Sequence, residues 1–575
     1  MHVLEHLRLI VPLVVALSLV LVVILVRQLR RWRAVPTGAW LRVRLDGGLV
    51  ELHQPIARWQ RWIGRKSPLS LSELRRTLNS AAKDPKIAGI ILEIHSSLAV
   101  SWPLAQSLCD ALERVRATRK PTVAWLPHGA DNAALLLACA CDRAYASPPA
   151  TLGPLGQHMA QHYVRPLLDR LGVQVEVLAR TEYKSAADSL TREDMSPANR
   201  EQLEAILETR QQVLHSALTQ RRGLSAEKAD AVIDHGPMRT RVAVERGVFD
   251  GAMYEDELLK LLGADKQHAS TVSFHRYTKA RVKVPRIARG KLVGVIELRG
   301  PIVLKGRANG ERMIDVEHTT QALRAAAASS FVGAVVLHID SPGGSALASD
   351  LIAREVEQLA AVKPVVAYFG DVAASGGYYI AAGARHIIAQ PTSITGSIGV
   401  IAMRFVVSKL LAQAGIGVEQ ISRGKNAGIF APYRTWSDDE RALMDQSIDE
   451  TYEDFLAVVA KGRKRTRDQI EPLARGRVWS GRDALGVGLV DQLGDLTTAI
   501  AFAAQSAGIL QTEIAIKVEA PKKHLGPIKT QPTASDAALE VMSAWLGRER
   551  PWLRFAQLVG SEEILALDTQ VAGLT

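Results

Sequence analysis

Two short stretches carry residues that could do acyl chemistry. In GDVAASGGYYIAAGA (Gly370 to Ala384), Ser375 sits between a strand-like run, KPVVAYF (Lys363 to Phe369), and a helix-like run, YYIAAGA. Serine and glycine cap helices and fill tight turns. The local pattern therefore fits a turn as well as it fits a nucleophile. In HIDSPGGSALAS (His338 to Ser349), Gly343 and Gly344 again stand where a strand gives way to a helix. Adjacent glycines let backbone approach a ligand, and amides at such a junction can face a developing negative charge. Two such strand ends in one sheet would bring the Gly344 and Gly376 N–H groups to Ser375, as an oxyanion hole beside a nucleophile.

A serine nucleophile needs a base. His338 precedes the glycine pair and His386 follows the serine helix, and neither has an evident Asp partner. A lysine serves if burial and neighbours keep it neutral. Lys184, in ARTEYKSAADSLTREDMSP (Ala179 to Pro197), and Lys425, in ISRGKNAGIFAPYRTWSDDE (Ile421 to Glu440), occupy matching places. Each lies twelve residues before a serine, Ser196 or Ser437, positioned to cap a helix. A lone lysine is ordinarily a solvated charge, so this matching is what raises both above the background.

The elements that must position these groups occur twice. IAGIILEIHSS (Ile87 to Ser97) parallels VGAVVLHIDSP (Val332 to Pro342). KPTVAWL (Lys120 to Leu126) parallels KPVVAYF, and ATLGPLG (Ala150 to Gly156) parallels SITGSIG (Ser393 to Gly399), both pairs 243 residues apart (120 to 363, 150 to 393). Short Val/Ile-rich runs alternate with helical patterns such as LIAREVEQLAAV (Leu351 to Val362). This predicts α/β architecture with β-α-β succession and a largely parallel sheet, as two similar domains. The expected organisation is an N-terminal anchor (1–33), a first repeat (34–275), a second repeat (285–515) and a tail (516–575). The basic, weakly patterned stretch HRYTKARVKVPRIARGK near 270–290 reads as the linker. The copies differ where the chemistry is. Ser96-Ser97-Leu98-Ala99 stands in place of Ser341-Pro342-Gly343-Gly344, and Asn132 in place of Ser375.

At 575 residues the chain exceeds one ordinary domain, and its 47% hydrophobic and 23% charged residues fit a globular protein. The net charge of +12 is scattered, without an aromatic-interleaved basic cluster, which argues against nucleic acid as a partner. Three cysteines, Cys109, Cys139 and Cys141, offer no disulfide framework. LIVPLVVALSLVLVVILV (Leu9 to Val26) is eighteen residues without a charge, long enough for a single membrane span. No A-x-A-like cleavage site follows, so a retained anchor is expected. The arginines at 27, 30, 31 and 33 lie C-terminal to it, and by the positive-inside rule they put the large domain in the cytoplasm.

Taken jointly, SPGGS, GDVAASGGYY, SITGSIGV, YKSAADSLTREDMSP and GRVWSGRDALGVGLVD (Gly476 to Asp491) resemble the signal peptide peptidase A (protease IV) family in its long two-repeat form, over roughly residues 38–510. The resemblance implies two tandem domains with a fold similar to Clp protease and the crotonases, following a transmembrane helix. It implies a Ser–Lys peptidase with Ser375 as nucleophile, Lys184 as base, and Gly344 and Gly376 as oxyanion donors. It further implies no cofactor or metal, a homotetramer, and substrates that are remnant signal peptides and other short or unfolded hydrophobic segments. Lys425 would then face Asn132 in a neighbouring subunit. The resemblance places the catalytic domain on the periplasmic side of the inner membrane, against the arginine flank. Two other readings of the same residues are a silent membrane scaffold, for which the site is too complete, and a crotonase-like acyl-CoA enzyme, which needs no serine nucleophile.

Overall fold

A computed structural model describes residues 35–53, 67–263, 268–280, 290–306, 312–510, 515–520 and 565–567. The expected membrane span, Leu9 to Val26, lies outside the described residues, as do Trp545 and Trp552 of the tail. Among the described residues no helix is long and apolar enough to cross a membrane.

The chain forms two compact units, Met1–Gly156 with Leu214–Ile287, and Gln157–Val213 with Ala288–Thr575. The first is built on a six-stranded parallel sheet in the spatial order Gly251–Ala252, Arg143–Ala146, Thr122–Leu126, Ile87–Ile94, Ala39–Leu45, Thr271–Ser273. The second repeats that order with Gln492–Leu493, His386–Ala389, Val365–Ala374, Val332–Ser341, Leu292–Arg299 and Ala515–Lys517, again all parallel. The central strands are buried along nearly their whole length, because helices cover both faces of a parallel sheet; hence the unbroken Val/Ile runs.

The repetition extends to detail. The first pairing shifts register between Ala39 and Trp40, so that Trp40 lies opposite Gly89. The second shifts between Leu292 and Val293, so that Val293 lies opposite Ala334. Gly89 and Ala334 thus stand at equivalent points of equivalent strands. The lysine that opens each KP turn does the same work in both copies. Lys120 Nζ donates to the Asp84 and Ile87 carbonyls, and Lys363 Nζ to those of Ala326 and Ser329.

The expected linear division is redrawn in space. Residues 157–213, Lys184 among them, group with the second unit. The cause is a strand: Gln174–Ala179 pairs antiparallel with Ile401–Val406 over six residues, from Ile401↔Ala179 to Val406↔Gln174. Alternation inside a six-residue strand names its faces but not its partner, so the sequence pattern left this segment with the first repeat. The expected linker is also partly structured. Thr271–Ser273 adds to the sheet edge and Phe274–Ala280 is a helix, in which the fully buried Tyr277 donates its hydroxyl to Asp84. Only its later part falls outside the described residues.

Candidate active site

The serine strand, Val365–Ala374, changes neighbours along its length. Its first half pairs with His386–Ala389 and its second half with Ile394–Gly396. Ser375 follows at once, at φ 54°, ψ −117°, and the buried helix Gly376–Ala382 begins at the next residue. That backbone is sparsely populated for a side-chain-bearing residue and costs on the order of 1–3 kcal/mol. The surroundings hold it in place. Ser375 N–H donates to the Gly396 carbonyl at 2.8 Å, and its carbonyl accepts from Tyr379 N–H at 2.9 Å. Tyr378 and Tyr379 pin the helix through their hydroxyls, to the Leu489 carbonyl and to Asp350.

The glycines beside the serine are required by contact. A Cβ on Gly376 would lie 2.4 Å from Ser349 Oγ and 3.4 Å from the Gly344 nitrogen, which places the two predicted oxyanion amides next to one another. Gly344, at φ +155°, runs so close to Ile302 that a Cβ would sit 2.0 Å from its carbonyl oxygen. The pair Gly343–Gly344 opens a short strand, Gly343–Ser345, and Ser345 Oγ caps the helix that follows by accepting from Ala348 N–H.

Lys184 is 3% exposed and Ser375 not at all. Lys184 Nζ lies 2.9 Å from Ser375 Oγ, 3.0 Å from the Ser397 carbonyl oxygen and 2.9 Å from Ser397 Oγ. A neutral amine has two N–H donors and one lone pair. Two donors directed at the Ser397 oxygens leave the lone pair for the Ser375 hydroxyl proton, which is the arrangement general-base catalysis needs. Two glycines make room for the lysine. A Cβ on Gly476 (φ +74°) would meet Lys184 N, Cβ and Cα at 2.6, 2.7 and 2.8 Å, and one on Gly399 would meet Lys184 Cδ at 3.3 Å. From behind, Gln202 takes its place between Ser185 Oγ, to which it donates, and Val478 N–H, from which it accepts.

Sequence reasoning assigned no role to Ser397, Gly399 or Gly476, although all three stand in the quoted motifs. The repeat held a signal for Ser397: the same offset of 243 that pairs Ser375 with Asn132 pairs Ser397 with Pro154. In the first unit Asn132 does different work. Its amide donates to the Gly156 carbonyl at 2.7 Å and accepts from Gly156 N–H at 3.1 Å, closing onto the counterpart of Gly399.

Lys425 is exposed and paired with Asp439 at 2.7 Å. That hydrogen bond raises its pKa, the opposite of what a base at neutral pH requires. Ser196 and Ser437 do cap helices, accepting from Asn199 N–H and Glu440 N–H. The two histidines have other surroundings. His338 packs on Tyr368 with ring centroids 5.4 Å apart, and His386 stacks on Phe502 at 3.9 Å. One perturbed carboxyl lies near the serine strand. Burial, and then the charge of Asp371, push Asp340 up to about 6, while Arg299 at 3.1 Å pulls the other way.

The model of peptidase family S49 matches the chain twice, at residues 114–269 and 357–510. The chain belongs to peptidase family S49. Among its relatives, the chloroplastic serine protease SPPA of Arabidopsis thaliana is 32% identical over 83% of this chain and 70% of that protein. Protease 4 of Salmonella typhi is 31% identical over 82% and 76%, and Protease 4 of Haemophilus influenzae 28% identical over 82% and 80%. This S49 member is a serine-type peptidase, and peptides are its substrates. The second matched region contains Ser375 and the first contains Lys184.

Proposed function

We propose that this S49 peptidase is a membrane-anchored endopeptidase that works through a Ser375–Lys184 dyad on short or unfolded hydrophobic peptides, remnant signal peptides among them. The observation that carries the dyad is the buried 2.9 Å approach of Lys184 Nζ to Ser375 Oγ. Ser375 Oγ attacks the scissile carbonyl carbon while Lys184 takes the hydroxyl proton. The carbonyl oxygen gains negative charge, and the Gly344 and Gly376 N–H groups stabilise it; one such donor is worth roughly a hundredfold or more in rate. The tetrahedral adduct collapses by breaking the C–N bond, and the Lys184 ammonium returns its proton to the leaving amine. Water then attacks the acyl-serine, with Lys184 again accepting a proton, and the carboxylate product leaves Ser375 regenerated. Ser397 holds the amine in line through both steps.

The uncharged run at Leu9 to Val26 supplies the anchor in this reading, and the catalytic domain lies outside the cytoplasm as part of a homotetramer. Protease accessibility in intact and permeabilised spheroplasts tests the side. The chemistry is tested by Ser375→Ala, which abolishes hydrolysis of an apolar fluorogenic peptide and labelling by a fluorophosphonate probe, while the Tm stays near that of the parent protein. Hydrolysis by the variant within tenfold of the parent would remove Ser375 from the mechanism.

A further inference from the structure

The second unit contains a further sheet beside its main one. Its strands run in the order Ile314–Asp315, Ile302–Val303, Gly343–Ser345, Leu565–Leu567, Ile401–Val406, Gln174–Ala179. The fourth strand is far from its neighbours in sequence, and it lies between two elements of the active site. It pairs antiparallel with the glycine strand, with Gly343 opposite Leu567, Gly344 opposite Ala566 and Ser345 opposite Leu565. On its other edge Leu565 lies opposite Ile401, also antiparallel. Without this strand, Gly343–Ser345 and Ile401 would border a slot one strand wide.

The polarity of the slot follows from these pairings. Ile401 comes directly after Ser397–Val400, and Ser397 holds the Lys184 amine. A strand antiparallel to Ile401–Val406 moves toward Ser397 as it runs toward its own C-terminus. The same strand meets Gly344, one of the two oxyanion amides, at its middle residue. An extended peptide bound in this way delivers the carbonyl at its C-terminal end to Ser375. The slot therefore takes the acyl half of a substrate by strand addition, in which main-chain hydrogen bonds give affinity. The segment seated there reads Leu-Ala-Leu, small and apolar.

We propose that Leu565–Leu567 is a pseudosubstrate strand: the chain's own tail occupies the acyl-side track and holds the free enzyme in a self-blocked state that a peptide must displace. The proposal rests on the peptidase reading above and adds an occupant to it. Ser375 and the lysine beside it have almost no exposed surface with this strand in place, as a blocked site requires. Because the block is intramolecular it is competitive, raising KM and leaving kcat alone.

The experiment compares the full chain with a chain ending at Glu563 and with Ala566→Pro, in which proline removes an N–H from the strand and disfavours pairing. Each is assayed for hydrolysis of an apolar fluorogenic peptide and for the rate of fluorophosphonate labelling at Ser375. The expected result is a KM at least fivefold lower in both altered chains, kcat within twofold, faster labelling, and competitive inhibition of the shortened chain by a synthetic EEILALD peptide. The KM difference should not depend on protein concentration; a dependence would place the strand in a second copy and overturn the intramolecular block. Unchanged KM and unchanged labelling in both chains would overturn the proposal while leaving the peptidase intact. If no form hydrolysed peptides, the peptidase reading would fail, and equal labelling rates would then overturn the tail block as well.

Discussion

Gly476→Ala tests whether the position of the lysine, and not only its presence, sets the rate. The substitution adds one methyl group 50 residues or more from either end of the second peptidase region's serine motif in sequence terms, yet directly against the base. That methyl would lie 2.6–2.8 Å from Lys184 N, Cβ and Cα, where ordinary contact begins near 3.4 Å. Relief requires the Lys184 backbone to retreat by roughly 0.7 Å, well outside the tolerance of a packed interior. A shift of about 1 Å in a catalytic group costs on the order of a hundredfold in rate. The φ of +74° adds about 1–2 kcal/mol of backbone strain for any residue with a Cβ.

Two effects are therefore mixed in one variant, and a second variant separates them. Gly415 has φ +75° and nothing within 4 Å of its added Cβ. Gly415→Ala thus carries the same backbone strain without the collision. The expected outcome is a similar loss of stability in both variants by thermal denaturation, with kcat/KM down about a hundredfold only in Gly476→Ala. The fluorophosphonate labelling rate should fall in parallel, because it reads serine activation without peptide binding. If Gly476→Ala kept kcat/KM within threefold of the parent, the claim that this glycine fixes the base would be refuted.

Further outcomes follow from the same geometry. Lys184→Met keeps the apolar stem and removes the amine; turnover should nearly vanish, while Lys425→Met, at an exposed ion pair, should keep most of it, and steady-state kinetics on the pair decides between them. Ser397→Ala leaves the carbonyl contact to Lys184 and deletes the hydroxyl contact, so kcat should fall by about tenfold with KM little changed; an unchanged kcat would show that the carbonyl alone orients the amine. Asp340→Asn should raise the Tm at pH 8 and lose that advantage below pH 4. The folded protein holds the Asp340 proton up to about 6, above the usual 3.8, so ionisation costs stability as pH rises through that window, and an amide never ionises. Equal Tm differences at both pH values would rule out ionisation as the cause.

The parallel sheets were legible because their strands are buried on both faces, and a run such as VGAVVLHI has no other use in an α/β protein. Ser375, Gly344 and Gly376 were legible for a different reason: they stand at strand ends, where glycine and serine have few structural equivalents. The base was less accessible. Nothing local to YKSAAD distinguishes Lys184 from an ordinary surface lysine, since its burial depends on Gly399 and Gly476, more than 200 residues away. The grouping of 157–213 with the second unit was hidden for the same reason, being decided by a cross-strand register that alternation does not encode. The strand at Leu565–Leu567 is three residues long and leaves no periodic trace at all.

The unequal fate of the two copies says which features serve folding and which serve chemistry. The register shift opposite Gly89 and Ala334, the strand order, and the lysine that caps the turn carbonyls recur in both. They are what either unit needs in order to fold. Ser375, Ser397 and the Gly343–Gly344 pair occur in the second copy alone, where each costs something: an unfavourable φ at both serines, and backbone packed too tightly against Ile302 for any side chain. In the first copy the same positions have relaxed. Asn132 spends both faces of its amide on Gly156, satisfying the loop end with two hydrogen bonds where the second copy leaves a hydroxyl directed at an amine. A strained serine facing a buried lysine is worse for stability than an asparagine clamp, and its retention on one side only is accounted for by reaction at that side.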